Sequence, residues 1–247
     1  MSGLAKILAM DEAMTTMVLR WANSAYYGLK FPVTTVQQAI TFLGHRTLHS
    51  LILATSVASI LERPAQGYGL DRGELWKHAI GVAAGARLIA SKLGSQFSEE
   101  AYHAGLLCDI GKLAFEVLLR NIDLNQPEWQ GRSFIELEQE HFGIDHAALG
   151  AELASHWHLP ANLVDAIAYH HQPSKATQGA VLAAAVHLAD AVVNTFGIGL
   201  GRDGLQYEID PVAIQRLGWD DNQMNQLAER IIPFVDEADD YIRARRT

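Results

Sequence analysis

Cysteine is nearly absent: Cys108 is the only one in 247 residues. No internal disulfide can form, which excludes the small bridged scaffolds of secreted proteins and suits a reducing compartment. Long apolar runs are missing as well. The longest candidate, Ala180 to Val193, is interrupted by His187 and Asp190 and falls short of the roughly 20 apolar residues that a bilayer demands. It reads as a core helix, and no membrane partner is expected. At the N-terminus Asp11 and Glu12 break the one short apolar stretch, so the basic-then-apolar order of a signal peptide is not found and a cytoplasmic location is expected. Positive charge is scarce: 19 Lys and Arg stand against 28 Asp and Glu, a net charge of −9 with histidines neutral. That balance argues against nucleic acid as a partner, because such binding rests on phosphate neutralisation. The one basic cluster, Arg243, Arg245 and Arg246, suits a helix C-terminus, where cations complement the macrodipole.

What is present is apolar and helical. Residues of the hydrophobic class make up 49% of the chain, and Ala, Leu, Ile and Val recur at three- and four-residue spacing without strand-like alternation. An all-α fold is predicted. Thr35 with Gln38 fits a capping box, Ser98 precedes an acidic first turn, Asp145 and Asp210 suit N-caps, and Pro160 and Pro211 suit first helical positions. Pro173 is placed to end a helix carrying His170 and His171. Two breaks, Glu62 to Gly73 and the glycine-rich Gly197 to Gly204, divide the chain. They predict an N-terminal helical lobe over 1–62, a central helical lobe over 74–196, and a C-terminal helical segment over 205–247.

Within these apolar helices a few polar residues stand out. A helix over Glu74 to Leu93 places His78 on the same face as Leu75 and Val82. The segment Ala104 to Gly111 reads as one central core helix in which Asp109 is the ionisable group beside the thiol. Asp190 sits equally isolated in Ala184 to Ala191. A buried carboxylate is costly unless paired, hydrogen-bonded or metal-bound. The candidate partners are His78, His146 at a helix start, and the pair His170 and His171. Histidines and carboxylates converging from separate helices can hold one or two divalent metals (Fe, Mn, Zn or Ni), which activate water against a phosphoester. The alternative is a metal-free hydrogen-bonded network that fixes helix register.

The run Trp21-Ala22-Asn23-Ser24-Ala25-Tyr26-Tyr27-Gly28, with Pro32-Val33-Thr34 and Gln38-Ala39-Ile40-Thr41-Phe42-Leu43-Gly44, resembles the signature of the HDOD family. Leu75-Trp76-Lys77-His78, Ala104-Gly105-Leu106-Leu107-Cys108-Asp109-Ile110-Gly111-Lys112-Leu113, Asp145-His146, Trp157-His158-Leu159-Pro160 and Ala166-Ile167-Ala168-Tyr169-His170-His171 extend the likeness over about residues 4 to 195. The resemblance implies a helical N-lobe packed on a lobe related to HD-type metal phosphohydrolases, and a bacterial regulatory role. It places the relic of a metal site at His78, Asp109, His146, His170, His171 and Asp190. The His-Asp pair of that superfamily is here Cys108-Asp109, a thiol where an imidazole is usual. One metal is expected at most, through His78, Asp109 and Asp190. Gln172-Pro173-Ser174 follows the histidine pair, without the Gly-Tyr-Pro of cyclic di-GMP-degrading relatives.

Cys108 itself reads as an apolar filler, since apolar surroundings raise a thiol pKa. Of His170 and His171, adjacent on a helix, one is expected at the rim. His103, His141, His156, His158 and His187 read as surface or capping residues, and Trp76, Trp129, Trp157 and Trp219 as packing residues. Asn23, Tyr26 and Tyr27 are candidates for a partner surface, against the alternative that the two tyrosines anchor the N-lobe while Gly28 turns the chain. These features predict a non-enzymatic signalling module that binds signalling proteins. The competing readings are an HD-type phosphohydrolase and a receptor for a nucleotide or small anion.

Overall fold

A computed structural model describes residues 12–119, 132–202 and 208–244. Residues 1–11, 120–131, 203–207 and 245–247 lie outside it, and with them the start of the predicted N-lobe, Asp11, Trp129, Arg245, Arg246 and the end of the second glycine-rich break. Among the described residues there is no strand, only an isolated bridge between Ala65 and Leu70 that closes the first break.

Helix α1 spans Glu12–Ala22. Helix α2 spans Val36–Leu61 and is kinked at Gly44, whose φ of 83° lies in the left-handed region that glycine tolerates. Thr35 caps it by accepting from the Gln38 amide, as predicted. The Gln38 side chain reaches the Thr34 amide, one residue further back than a capping box requires. After the break come α3 (Glu74–Ala90), α4 (Ser95–Leu107) and α5 (Ile110–Leu119). Ser98 does not start α4; the helix begins at Ser95, after Gly94. The remaining helices are α6 (Phe134–Phe142), α7 (His146–His156), α8 (Ala161–Ala168), α9 (Ala180–Thr195), α10 (Pro211–Leu217) and α11 (Asp221–Ala244). Asp145 and Asp210 cap α7 and α10 by accepting from the Ala148 and Val212 amides.

Helix α3 is the hub. It packs against α4, α9 and α11, and its interior face is apolar and buried nearly throughout. The N-lobe helices α1 and α2 pack on each other, and α2 leans on α3 and α4. Trp21 of α1 stacks on Trp76 of α3 at 5.7 Å between rings, both fully buried, so an aromatic pair joins the lobes.

A buried polar network reinforces that junction. Arg87 donates to the Tyr27 hydroxyl and to Glu99, both at 2.6 Å, and its guanidinium lies 4.0 Å from the centre of the Tyr102 ring. Glu99 also accepts from Thr47 and Ser50 of α2. Tyr26 stacks on Phe234 of α11 at 4.5 Å and donates to the Ala84 carbonyl. Of the expected partner surface, Asn23 is exposed and Tyr26 and Tyr27 are half-buried. Both tyrosines hold the lobes together, while the Asn23 amide is tied to both backbone groups of Val33. Gly28 has a φ of 60° and turns the chain. Trp157, read as a packing residue, is instead 48% exposed.

Candidate metal centre

Asp109 owes its position to a break that periodicity conceals. The segment over 104–111 is two helices, because α4 ends at Leu107 and α5 starts at Ile110. Cys108 and Asp109 form the turn between them, a place that a short carboxylate favours over a helix interior. Gly111, two residues on, lies so close to α7 that a Cβ would stand 2.0 Å from the His146 carbonyl oxygen. This contact brings the start of α7, with His146, beside Asp109. His78 comes from α3 and Asp190 from α9, the two helices packed side by side. His170 and His171 follow α8, which ends at Ala168 rather than at Pro173. Off the helix, adjacent side chains need not diverge, and both rings face the same place, with His171 at the rim as expected. The two rings are 3.9 Å apart, His170 is fully buried and the His171 side chain is 17% exposed.

All six sequence-predicted residues meet in one buried cluster. His78 Nε2 stands 2.9 Å from Asp190 Oδ1 and 3.2 Å from Asp109 Oδ2. His146 Nε2 and His170 Nε2 approach Asp109 Oδ1 at 3.4 and 3.7 Å, and His171 Nδ1 lies 4.0 Å from Asp190 Oδ2. His146 Nε2 and His171 Nε2 are 2.9 Å apart. One ligand atom each from Asp109, His146, His170 and His171 falls within 4.8 Å of the others, an arrangement that could hold a metal ion. The trio His78, Asp109 and Asp190 expected to carry a lone metal also lies together, with His78 Nε2 between the two carboxylates.

Burial opposes charge on His78, but the two carboxylates outweigh it and raise the imidazole to about 10. His146 is also raised to about 10, against its burial, by Glu138 and Asp109. Burial would raise Asp109, yet Lys112 and the surrounding imidazoles hold it well below the usual carboxylate range. Burial and the neighbouring histidines push His171 well down. The metal-free cluster is thus a hydrogen-bonded charge network in which His146 and His171 share a bond through their Nε2 atoms.

The donor set fits a metal. Among the buried side-chain atoms without an aligned hydrogen-bond partner are His78 Nε2, Asp109 Oδ1 and His170 Nε2, all at this place. Such atoms are costly to leave unmatched. Outer contacts orient the donors: His146 Nδ1 bonds to Glu138 at 2.8 Å, and His170 Nδ1 to the Ile167 carbonyl at 2.8 Å. Each leaves Nε2 turned toward the cluster, the usual arrangement behind metal-bound histidines. Three imidazoles and a carboxylate suit a borderline divalent ion such as Zn²⁺.

Cys108 does not join the cluster. Its Sγ bonds to the Gly105 carbonyl at 3.2 Å, and burial first, then Asp109 and Asp190, raise the thiol well above its ordinary value. Its hydrogen bond turns the sulfur to that carbonyl.

Two residues here escape sequence reasoning. Lys112 is buried with Nζ 3.0 Å from Asp109 Oδ2; its three-residue spacing from Asp109 was the available signal. Glu138 lies on α6 and no local pattern marks it. His187, read as a surface or capping residue, is fully buried. His103 is partly buried and bonds to Ser50 at 2.8 Å, whereas His141, His156 and His158 are exposed.

Comparison with known proteins agrees with this architecture. The family model described as the HDOD domain matches residues 1–173. An HDOD domain protein of unknown function from Geobacter sulfurreducens is 26% identical, with a TM-score of 0.71 over 97% of this chain and 82% of that one. A Shewanella amazonensis protein provisionally described as a phosphohydrolase is 24% identical, with a TM-score of 0.72 over 95% of this chain and 86% of that one. A Marinobacter aquaeolei protein provisionally described as a signal transduction protein is 23% identical, with a TM-score of 0.71 over 98% of this chain and 55% of that one. These last two show the fold alone. The chain spans 33% of the length of the curated relative it matches, an uncharacterized Treponema pallidum protein 26% identical over 175 residues, 69% of this chain.

Proposed function

Because the chain belongs to the HDOD domain family, we propose that it is a non-enzymatic regulatory module of bacterial signal transduction. In this reading it acts by binding other signalling proteins, and its metal centre serves conformation rather than turnover. Cys108 carries the reading. A phosphohydrolase of the two-metal kind needs ligands enough for both ions around a bridging carboxylate. Here the position beside Asp109 offers a thiol aimed at the Gly105 carbonyl, with its pKa raised by burial, in place of an imidazole. What remains is one group of donors, Asp109, His146, His170 and His171. A divalent ion bound there would supply a cross-link between the α4–α5 turn, α7 and the loop after α8, and Lewis acidity at one position.

For protein contact the N-lobe offers two aromatic side chains, Phe31 and Phe42, 75% and 61% exposed.

A second reading, turnover or binding of a phosphate-bearing ligand such as a nucleotide, is favoured by Lys112, a buried cation beside the cluster. Elemental analysis of chelator-free protein, followed by assay of nucleotides and phosphodiesters with added Mn²⁺, Fe²⁺ or Zn²⁺, separates the two. Metal uptake without turnover is the expected result. Robust turnover that disappears in Asp109→Ala refutes the non-enzymatic reading. A nucleotide that raises the melting temperature without being cleaved makes the module a receptor.

A further inference from the structure

His187 joins two parts of the molecule that are separate in sequence. Its Nε2 accepts from the Asp210 backbone amide at 2.8 Å. A backbone N–H can only donate, so Nδ1 carries the ring proton and donates to the His170 carbonyl, also at 2.8 Å. The tautomer follows from the partners alone. His170 is in turn gripped at its own Nδ1 by the Ile167 carbonyl, so its remaining nitrogen points at Asp109.

Asp210 does more than start α10. One carboxylate oxygen accepts from the Val212 amide and the other from the Ser174 amide. Arg216, at the far end of α10, donates to the carbonyls of Pro173 and Ala180, at 3.2 and 2.9 Å. The loop between α8 and α9, which presents His170 and His171, is therefore held to α10 at three places: His170 through His187, Ser174 through Asp210, and Pro173 through Arg216. All of α10 lies beyond residue 173, where the match to the family model ends.

From this geometry we infer that α10 is a latch on the candidate metal centre: its seating holds the histidine loop in ligating position and so sets the affinity for the ion. The inference rests on the reading of the cluster as a metal site. Coupling is reciprocal, so an ion in the cluster tightens α10, and a partner that lifts α10 loosens the ion. Asp210, Arg216 and His187 are positioning residues, none of them a ligand.

The test uses the full chain and three variants. Arg216→Ala removes an exposed side chain, and His187→Gln keeps an acceptor and a donor near the same place. Thr35→Ala, which removes the α2 cap far from the site, serves as a control for general loss of stability. Zn²⁺ affinity is read by competition with a chromophoric chelator, and amide hydrogen exchange is followed over residues 169–179 and 208–217 with and without Zn²⁺. Arg216→Ala is expected to speed exchange across 169–179 in the metal-free protein and to weaken Zn²⁺ binding about tenfold, with His187→Gln smaller in both. Zn²⁺ should slow exchange over 208–217 in the unaltered chain, and Thr35→Ala should leave the affinity unchanged. Equal affinities in Arg216→Ala and the parent, or exchange over 169–179 unchanged by the substitution, overturns the latch. If the parent takes up no Zn²⁺, the reading of the cluster and the affinity claim both fail, while metal-free exchange still decides whether α10 braces the loop.

Discussion

Asp109 concentrates the electrostatics of the site, and its substitution separates pairing from ligation. Its Oδ2 faces Lys112 and His78, and its Oδ1 faces His146 and His170. Asp109→Asn keeps the shape and removes the negative charge that faces Lys112, His78 and His146. Stranding one member of a buried pair costs about 3–5 kcal/mol, more than the pair's net contribution. Asp109→Asn should therefore lower the urea-unfolding free energy by about that amount. Adding Lys112→Met should recover part of it, because the cation that faces Asp109 is removed with it. If the double variant is no more stable than Asp109→Asn, Lys112 is not the group that Asp109 neutralises. The acids were legible in the sequence because a carboxylate in an apolar helix demands an explanation. Lys112 was not, because a lysine is ordinarily solvated and its burial here depends on a partner that only the fold identifies.

At the level of elements, close approach between backbones matters as much as side-chain chemistry. Gly111 permits α5 and α7 to meet, and a Cβ there would collide with the backbone at His146 and at Gly150. Backbone cannot rotate aside as a flexible side chain can, so Gly111→Ala must push α7 away. Overpacking of this kind costs about 1–3 kcal/mol. The displacement also carries His146 from Asp109, so metal uptake should fall further than the stability loss alone explains. Chelator competition on folded protein checks this, and unchanged affinity in a stably folded Gly111→Ala contradicts it. Helix existence and most caps were readable from periodicity and from residues such as Asp145 and Asp210. The break at Cys108-Asp109 was not, because both flanks are apolar and buried and the period continues across it. The end of α8 at Ala168 escaped for a related reason: the helix stops because α9 and α10 capture the following loop, through contacts far away in sequence.

Over the whole molecule, pH and metal act on the same folded state through separate groups. Between the lobes, His103 bonds to Ser50 and has Glu99, Glu100, Arg87 and His49 as charged or titratable neighbours. Burial lowers its pKa below the ordinary value near 6.5. The unfolded chain then takes up this proton first as pH falls, so the contribution of His103 to stability is present above pH 6.5 and is lost below it. The unfolding free energy of the parent minus that of His103→Gln should decline from pH 7.5 to pH 5; a flat difference contradicts the assignment. The cluster adds a second lever. An ion bound by Asp109, His146, His170 and His171 ties together elements that the unfolded chain scatters, so it binds the native state in strong preference. At a free concentration one hundred times Kd the gain is about 2.7 kcal/mol, which for a chain of this length corresponds to a rise of roughly 5–11 °C in Tm. Cysteine and histidine side chains of the unfolded chain also bind Zn²⁺ and set the lower end of that range. Binding must also displace the proton that His146 carries, raised as it is to about 10, so the gain should grow as pH rises from 6 to 8. Thermal unfolding with Zn²⁺ and with chelator, at both pH values, measures it. Asp109→Asn should show no such rise, and a rise of the same size in that variant would place the ion elsewhere in the molecule.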